Sequence, residues 1–474
     1  MTQFISLLAL GAAVVAGQQV YLPQQGPIPS QCADSHSHGQ GATPSYNYRA
    51  FHEPFSYTLT ETVRTAKGVT PPPTPLPTFA KPYNAVSSLF ANVSTTSWGN
   101  WEPSATTSPP DSKNPYGQEA WSSLWANAGL PNFTRGFYST TVSPTAVPTS
   151  ELILPPPRYF EPKSCYTFPR DFIWGVAGSA SQVEGAVADE GRSPTFAELT
   201  STGSIGGDDK DYSTRENYYL YKQDIERLAA IGNKYYSFSI SWARILPFAL
   251  PGTPVNWAGL KHYDDLINFA LSKGVQPVVT LVHFDVPLSV YSNVSSTLSE
   301  RAYYGFANMG YGEPAFQEAF VNYGKLVMAH FADRVPIWIT INEPQMGTVS
   351  GPALYNVIKS HARLHHFYKE VLNGTGRIST KMAQGCGVPQ DPQNASHLVA
   401  TEHFNDLKLG AFLNPIALGL DYPEAYKMTI QDYVPLSQED LAYMNNTLGK
   451  LTGQYITIAE ECILITGLLR FRRI

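Results

Sequence analysis

Hydrophobic and polar positions alternate in two ways along the chain from residue 168 onward. Five apolar runs of strand length are followed by segments with apolar residues every three or four positions. Nearly continuous apolar strands alternating with amphipathic helices predict a parallel sheet covered by helices. The predicted strands are 172–177, 234–241, 276–284, 335–341 and 377–383, and the predicted helices are 218–232, 257–274, 314–333, 357–372 and 397–413.

Two arrangements of these elements remain open, a (β/α)8 barrel and an open doubly wound sheet. Neither G-x-G-x-x-G nor G-x-x-x-x-G-K-[ST] follows the first strand. Because those glycine-rich turns hold phosphate groups, their absence disfavours a nucleotide-binding protein.

The first third of the chain has a different character. An apolar run at 4–16 ends in small residues and is too short to span a bilayer, so we predict a signal peptide over 1–17. Residues 18–82 are rich in Pro, Ser and Thr and are predicted to be a disordered spacer. The segment 83–167 contains four tryptophans, which favour an extension that packs on the following domain over a sugar-binding module. Those tryptophans are Trp98, Trp101, Trp121 and Trp125.

Composition restricts the partners of the protein. The net charge is −6 and only 15% of residues are charged, so no basic face for nucleic acid is expected. No segment after the leader is long and apolar enough for a membrane anchor. Six N-glycosylation sequons accompany the leader and favour a secreted, extracellular glycoprotein. Their asparagines are Asn92, Asn132, Asn293, Asn373, Asn394 and Asn445.

Neither the cysteines nor the histidines indicate a metal centre. The four cysteines contain no C-x-x-C pair, and their disulfide pairing stays open. His361 and His365 are spaced as zinc ligands on a helix, but the glutamate of H-E-x-x-H is missing. We therefore expect no metal. The cysteines are Cys32, Cys165, Cys386 and Cys462.

Polar side chains follow four of the predicted strands. In a parallel barrel the active site lies at the carboxyl ends of the strands, so these side chains should meet at one mouth. Amide, imidazole, indole and carboxylate groups suit a polyhydroxylated substrate. Glu343 directly follows an apolar strand, where partial desolvation favours a general acid. The residues are Gln182, Glu184, Trp242, Arg244, His283, Asp285, Asn342 and Glu343.

Five sequence blocks resemble glycoside hydrolase family 1, in particular fungal-type secreted β-glucosidases with an N-terminal extension. The blocks are FPRDFIWGVAGSASQVEGA, FSISWARILPF, VTLVHFD, TINEP and NDLKLGAFLNPIALGLDYP. This resemblance implies a (β/α)8 TIM-type barrel over 168–450, of which about five of eight βα units are identifiable, followed by a divergent tail at 451–474. It also implies a retaining β-glucosidase that acts on β-glucosides or cello-oligosaccharides without a cofactor.

The same resemblance implies roles for individual residues. Glu343 is expected to be the acid/base, Asn342 to bind the sugar 2-hydroxyl, and Gln182 and His283 to bind other hydroxyls of the glycone. Glu184 and Asp285 are expected to support the site.

The chain departs from the family pattern at several points. Ser237 and Phe284 replace a family Arg and Trp, and the I-T-E-N-G segment that carries the nucleophile is missing from this sequence. We therefore expect a C-terminally truncated chain whose activity is doubtful. Two alternatives stay open, namely a carbohydrate-binding pseudoenzyme and a non-functional fragment.

Overall fold

The computed structural model describes residues 75–101, 111–128, 173–198, 215–292, 308–382 and 387–448, two isolated residues (130 and 147) and several two-residue strands. The chain divides into two compact units, one made of Met1–Arg64 and Leu154–Phe172 and the other of Thr65–Ile153 and Ile173–Ile474. The predicted leader, the tail at 451–474, Asn132, Asn293 and all four cysteines lie outside the described residues.

A five-stranded parallel sheet forms the centre of the second unit. Its strands are β1 (Gly175–Ala177), β2 (Tyr235–Ser239), β3 (Gln276–Val282), β4 (Ile337–Asn342) and β5 (Arg377–Lys381). Their spatial order is β5-β4-β3-β2-β1, so each strand pairs with the next one along the chain. This order, with a helix between successive strands, is that of a (β/α)8 barrel. All five predicted strands are therefore confirmed.

Helices follow the strands at the predicted places. Helix α2 connects β1 to β2, α3 connects β2 to β3, α4 connects β3 to β4, and α5 connects β4 to β5. Helix α5 begins earlier than the predicted residue 357, because Ser350 caps its first turn by accepting a hydrogen bond from the Ala353 amide. The helices are α1 (Gln118–Asn127), α2 (Asn217–Ala230), α3 (Trp257–Ser272), α4 (Phe316–Phe331), α5 (Gly351–His366), α6 (Ala395–Asn405), α7 (Glu424–Thr429) and α8 (Gln438–Met444).

Shorter elements fill the connections. The helical turns are Tyr83–Ala85, Ser87–Phe90, Ala180–Glu184, Trp242–Ile245, Leu288–Val290, Pro344–Met346, Phe367–Val371, Asp406–Gly410, Ala411–Leu413 and Asn414–Leu418. The two-residue strands are Arg64–Thr65, Thr95–Thr96, Phe133–Thr134, Ile153–Leu154, Lys210–Asp211 and Val255–Asn256.

The two faces of the sheet bury different sets of side chains. Val278, Ile337 and Ile339 form one cluster, whereas Trp338 and Ile378 belong to the large cluster shared with the helices. Because successive strand residues point to opposite faces, the first cluster marks the inner face and the second marks the helix-covered face.

The packed part of the chain begins before residue 82. Phe79 N donates to Asp333 O (2.9 Å) and Lys81 N donates to Leu372 O (2.8 Å). These backbone bonds place residues 79–81 against the helical layer. The boundary at residue 82 that composition predicts is therefore too late. A proline-rich composition does not show which residues form backbone hydrogen bonds with the neighbouring helices.

Three of the four N-terminal tryptophans are buried. Trp98, Trp121 and Trp125 form a cluster with Ala188, and Trp125 Nε1 donates to Arg192 O (2.8 Å). Buried indole rings cannot form a sugar-binding platform. This part of the extension packs on the segment that follows β1.

Candidate active site

The ends of β3 and β4 bring His283 and Asn342 together. Ile341 and Val282 are in register, so the next two residues along the strands are neighbours. Asn342 Nδ2 lies 3.0 Å from His283 Nε2. Because an amide NH2 can only donate, His283 Nε2 is the acceptor and the ring proton lies on Nδ1. Both side chains are buried.

Each of these two residues is followed by a residue in the left-handed region. Phe284 has φ 62° and Glu343 has φ 48°. This conformation costs about 1–2 kcal/mol for a non-glycine residue, and such strain clusters at functional sites. The chain therefore turns sharply at the same level on both strands.

The backbone of Glu343 is fixed on two sides. Its N–H donates to Lys381 O (2.6 Å) at the end of β5, and its carbonyl accepts from Met346 N (3.0 Å) in the following turn. The side chain is half-buried. Glu343 is thus presented beside Asn342 by backbone contacts, where a general acid could meet a substrate held by Asn342.

Gln182 lies on the turn Ala180–Glu184, directly after β1. Ala180 N donates to Ser239 Oγ (2.8 Å), and Ser181 Oγ donates to His283 O (3.5 Å). The exposed Gln182 accepts from Ser179 Oγ (2.6 Å). These contacts place Gln182 at the same end of the sheet as His283.

Asp285 holds the backbone of His283 in place through a hydrogen bond. It is fully buried, and its Oδ1 accepts from His283 N (2.9 Å). Its other oxygen, Oδ2, has no hydrogen-bond partner in the described part of the chain. Burial raises the pKa of Asp285 to about 7, so a large share of this carboxyl group is protonated at neutral pH.

Glu184 and Arg244 form a buried pair. Arg244 Nη2 lies 3.4 Å from Glu184 Oε2, and Glu184 Oε1 accepts from Tyr263 Oη (2.6 Å). The guanidinium also stacks on the ring of Tyr218 at 3.9 Å. These groups hold the segment after β1 and are not available to a substrate.

The sequence pattern predicted Trp242 and Arg244 at the mouth of the site, and this prediction is wrong. Both are fully buried, and Trp242 stacks on Tyr323 with ring centres 5.2 Å apart. The strand β2 ends at Ser239, and the short helix Trp242–Ile245 turns both side chains into the core. Apolar residues continue past the end of β2 into the short helix, so the sequence pattern does not show where the strand ends.

Lys381, the last residue of β5, was not singled out from the sequence. It is 3% exposed, and its carbonyl holds the Glu343 amide. A lysine inside the otherwise uncharged run ISTKMA was the available signal.

Both ring nitrogens of His361 face oxygen atoms of the protein. Its Nδ1 lies 2.8 Å from Thr340 Oγ1 and its Nε2 lies 3.2 Å from Thr447 O. Burial lowers the pKa of His361 to about 4, so the ring is neutral. Among the described residues there is no group of three or more His, Cys, Asp or Glu side chains that could hold a metal.

Four sequon asparagines are exposed, namely Asn92, Asn373, Asn394 and Asn445. Across the described ranges, no helix has the length and apolar character needed to cross a membrane.

Residues 164–459 match the model of glycosyl hydrolase family 1, and the chain belongs to that family. Beta-glucosidase 4 of Oryza sativa subsp. japonica is 31% identical over 305 residues, which cover 59% of this chain and 60% of the relative. Beta-glucosidase 1B of Phanerodontia chrysosporium is 30% identical over 315 residues, covering 59% and 55%. The chain thus spans between half and two thirds of the length of these relatives.

Solved structures agree on the fold. β-Glucosidase 2 from Trichoderma reesei, in complex with Tris, gives a TM-score of 0.52 at 27% identity, covering 60% of this chain and 62% of that one. The family 1 β-glucosidase from Humicola insolens, in complex with glucose, gives 0.51 at 26% identity, covering 59% and 62%. The barrel fold predicted from the sequence is therefore confirmed.

Proposed function

We propose that this chain carries the glycone site and the acid/base of a retaining β-glucosidase that removes terminal β-D-glucosyl residues from glucosides or cello-oligosaccharides. One observation carries the proposal. Glu343 is held at the end of β4 next to the buried Asn342–His283 pair, in a chain of glycosyl hydrolase family 1. The resemblance to β-glucosidases supports glucose as the glycone.

Asn342 is suited to bind a sugar hydroxyl. Its Nδ2 is used by His283, whereas its buried Oδ1 has no partner in the described part of the chain. A buried acceptor without a partner is costly, and a hydroxyl O–H would satisfy it. Gln182 and His283 complete the proposed set of glycone contacts.

Retention of configuration requires two carboxyl groups about 5–5.5 Å apart. In the first step Glu343 gives its proton to the glycosidic oxygen while a second carboxylate attacks the anomeric carbon. In the second step Glu343 takes a proton from water, which displaces that carboxylate. Glu184 and Asp285 are engaged by Arg244 and by the His283 backbone, so neither is placed as the nucleophile. The I-T-E-N-G segment that supplies the nucleophile in the resembled family is missing from this sequence, so no residue of this chain is proposed for the attack.

Glu343→Gln tests the acid/base role, because it keeps the shape and removes the proton. Hydrolysis of cellobiose should fall by about 10²–10⁴. Aryl glucosides with acidic leaving groups should lose less in the first step. Glu424→Gln, on an exposed glutamate, is the matched control and should match the wild type. Measurable hydrolysis of cellobiose at the same rate by wild type and Glu343→Gln contradicts the role.

The wild-type chain must itself be assayed for binding and turnover. Calorimetric binding of glucose or cellobiose without hydrolysis indicates a carbohydrate-binding pseudoenzyme. Absence of binding, of hydrolysis and of a cooperative thermal transition indicates a non-functional fragment. Either result overturns β-glucosidase activity for the 474-residue chain.

Secretion with N-glycans forms part of the proposed function. It is supported by the apolar leader and by the exposure of the four described sequon asparagines. N-terminal sequencing of the expressed protein should begin near Gln18, and an endoglycosidase should lower its mass. A protein that retains Met1 and shows no mass change contradicts this part.

A further inference from the structure

Residues 194–196 lie against the segment that follows Asp285. Two backbone hydrogen bonds, of 2.9 and 3.0 Å, and one antiparallel bridge join residues 194–196 to residues 286–288. Asp285 comes directly before this pairing, and its Oδ1 accepts from His283 N (2.9 Å). The position of the turn 283–285 therefore depends on where residues 194–196 are held.

A buried ion pair holds Thr195 in place. Arg192 Nη2 lies 2.9 Å from Glu198 Oε1, and the two side chains are 3% and 4% exposed. The second oxygen of this carboxylate, Glu198 Oε2, accepts from Thr195 N (2.7 Å) and from Thr195 Oγ1 (2.8 Å). Thr195 forms the bridge to Pro287, so the ion pair holds the residue at the centre of the pairing. Arg192 also compensates the buried charge of Glu198, which would be costly alone.

The N-terminal extension contacts the backbone of Arg192. Trp125 Nε1 donates to Arg192 O (2.8 Å), and this hydrogen bond is buried. Trp125 is 1% exposed and belongs to the cluster with Trp98 and Trp121. The Arg192 guanidinium also donates to Val187 O (3.2 Å). Arg192 is therefore held at its backbone by the extension and at its side chain by the ion pair.

The charge of Arg192 also acts on Asp285. Burial raises the pKa of Asp285 to about 7, and the His283 amide and the Arg192 cation oppose this rise. Glu184 and Glu198 act in the same direction as burial. The Arg192 cation thus favours the ionised form of Asp285, which is the stronger acceptor for the His283 amide.

We propose that Arg192 is a positioning residue of the glycone site, which it supports by placing the turn 283–285 through residues 194–196. Trp125 of the extension secures Arg192 in this role. This inference rests on the proposed glycone role of His283. Arg192 and Trp125 do not touch the sugar, because both are buried and act through the backbone. Part of the N-terminal extension thereby contributes to glucose affinity as well as to folding.

The test follows the backbone amide of His283, whose hydrogen bond to Asp285 reports the position of the turn. Selective ¹⁵N-histidine labelling of the full chain gives one amide signal for each of its 11 histidines, and His283→Gln identifies the signal. Arg192→Met removes the charge and the pairing with Glu198. It should shift the His283 amide signal and weaken glucose binding, measured by calorimetry, by about 10-fold or more. Arg192→Lys keeps the charge and should restore most of both.

Arg334→Met is the matched control. Arg334 pairs with Asp264 at 2.7 Å and lies just before β4, at the end of the sheet opposite to the turn 283–285. Its removal also breaks an ion pair but should change neither the His283 signal nor the affinity for glucose. An unchanged His283 signal in folded Arg192→Met, or an equal shift in Arg334→Met, overturns the proposal.

Trp125→Phe applies the same test if Arg192→Met does not fold. It keeps an aromatic ring in the cluster, leaves every charge in place and removes the donor to Arg192 O. The His283 signal should still shift, because Arg192 loses a backbone contact. An unchanged signal in this variant overturns the proposal.

Failure of this inference and failure of the proposed function give different results. Movement of the His283 signal in a chain that does not bind glucose rejects the proposed function alone. Glucose binding that folded Arg192→Met leaves unchanged rejects only the role of Arg192.

Discussion

Replacing Arg244 by leucine tests how the active-site end of the sheet is held. The guanidinium is fully buried, 3.4 Å from the Glu184 carboxylate, and donates to Ala186 O and Asp189 O, both at 3.2 Å. Leucine fills much of the space but leaves the Glu184 carboxylate buried without its cation. Breaking a buried pair in this way costs about 3–5 kcal/mol.

We therefore expect Arg244→Leu to lower the free energy of unfolding by about 3–5 kcal/mol. The matched control is Arg363→Leu, because Arg363 pairs with Glu318 at 2.5 Å on the surface. Exposed pairs of this kind contribute about 0–1 kcal/mol. The double variant Arg244→Leu/Glu184→Leu should recover part of the loss, since it removes both charges.

The assay is equilibrium urea unfolding followed by tryptophan fluorescence at one pH and salt concentration. The interaction energy comes from the two single variants and the double variant. A loss below about 1 kcal/mol for Arg244→Leu, equal to that of the surface control, refutes the reasoning. Such a result means that the Glu184 carboxylate finds water or another partner once the cation is gone.

Three further predictions concern stability. The pKa of Asp285, about 7, lies above its ordinary value of 3.8. Its contribution to the free energy of unfolding is therefore present at acid pH and declines between about pH 4 and 7. Asp285→Asn should abolish that decline, measured by urea titrations at pH 5 and 8. The pKa of His361, about 4, lies below its ordinary value of 6.5, so its contribution to the free energy of unfolding is lost as the pH falls from 6.5 to 4. His361→Gln should remove this pH dependence. An unchanged slope of the free energy of unfolding against pH counts against the reasoning. Ser350→Ala removes the cap of α5 and should cost about 1 kcal/mol, measured as a lower urea midpoint than that of a Ser272→Ala control at a helix end.

The order of strands and helices was predictable from the sequence because apolar residues are spaced differently in the two kinds of element. β3 and β4 are almost uniformly buried, and α4 and α5 follow amphipathic patterns. The proximity of His283 and Asn342, at the ends of β3 and β4, was predictable from the order of the strands. Parallel strands in sequential order bring their carboxyl ends to one edge.

Side-chain direction at the strand ends was not predictable. Trp242 and His283 both follow apolar strands, yet Trp242 enters the core and His283 meets Asn342. The difference arises from the local backbone, since one strand continues into a short helix and the other turns through a left-handed residue. The position of Lys381 depends on a bulge in β4 that shifts the register. The alternation of apolar and polar residues within one strand does not show a shift in its register with the neighbouring strand.

The strained backbone at Glu343 persists because its surroundings leave the turn few alternatives. Pro344 and Gln345 are buried directly after it, and a Cβ atom on Gly347 would lie 2.8 Å from the ring of Tyr311. The turn therefore closes against a buried aromatic ring on one side, while the Lys381 carbonyl binds the Glu343 amide on the other. Relaxing the left-handed residue would break that hydrogen bond and move buried groups, which costs more than the about 1–2 kcal/mol of strain. The packing of residues that never touch a substrate thus decides where the proposed proton donor stands relative to Asn342.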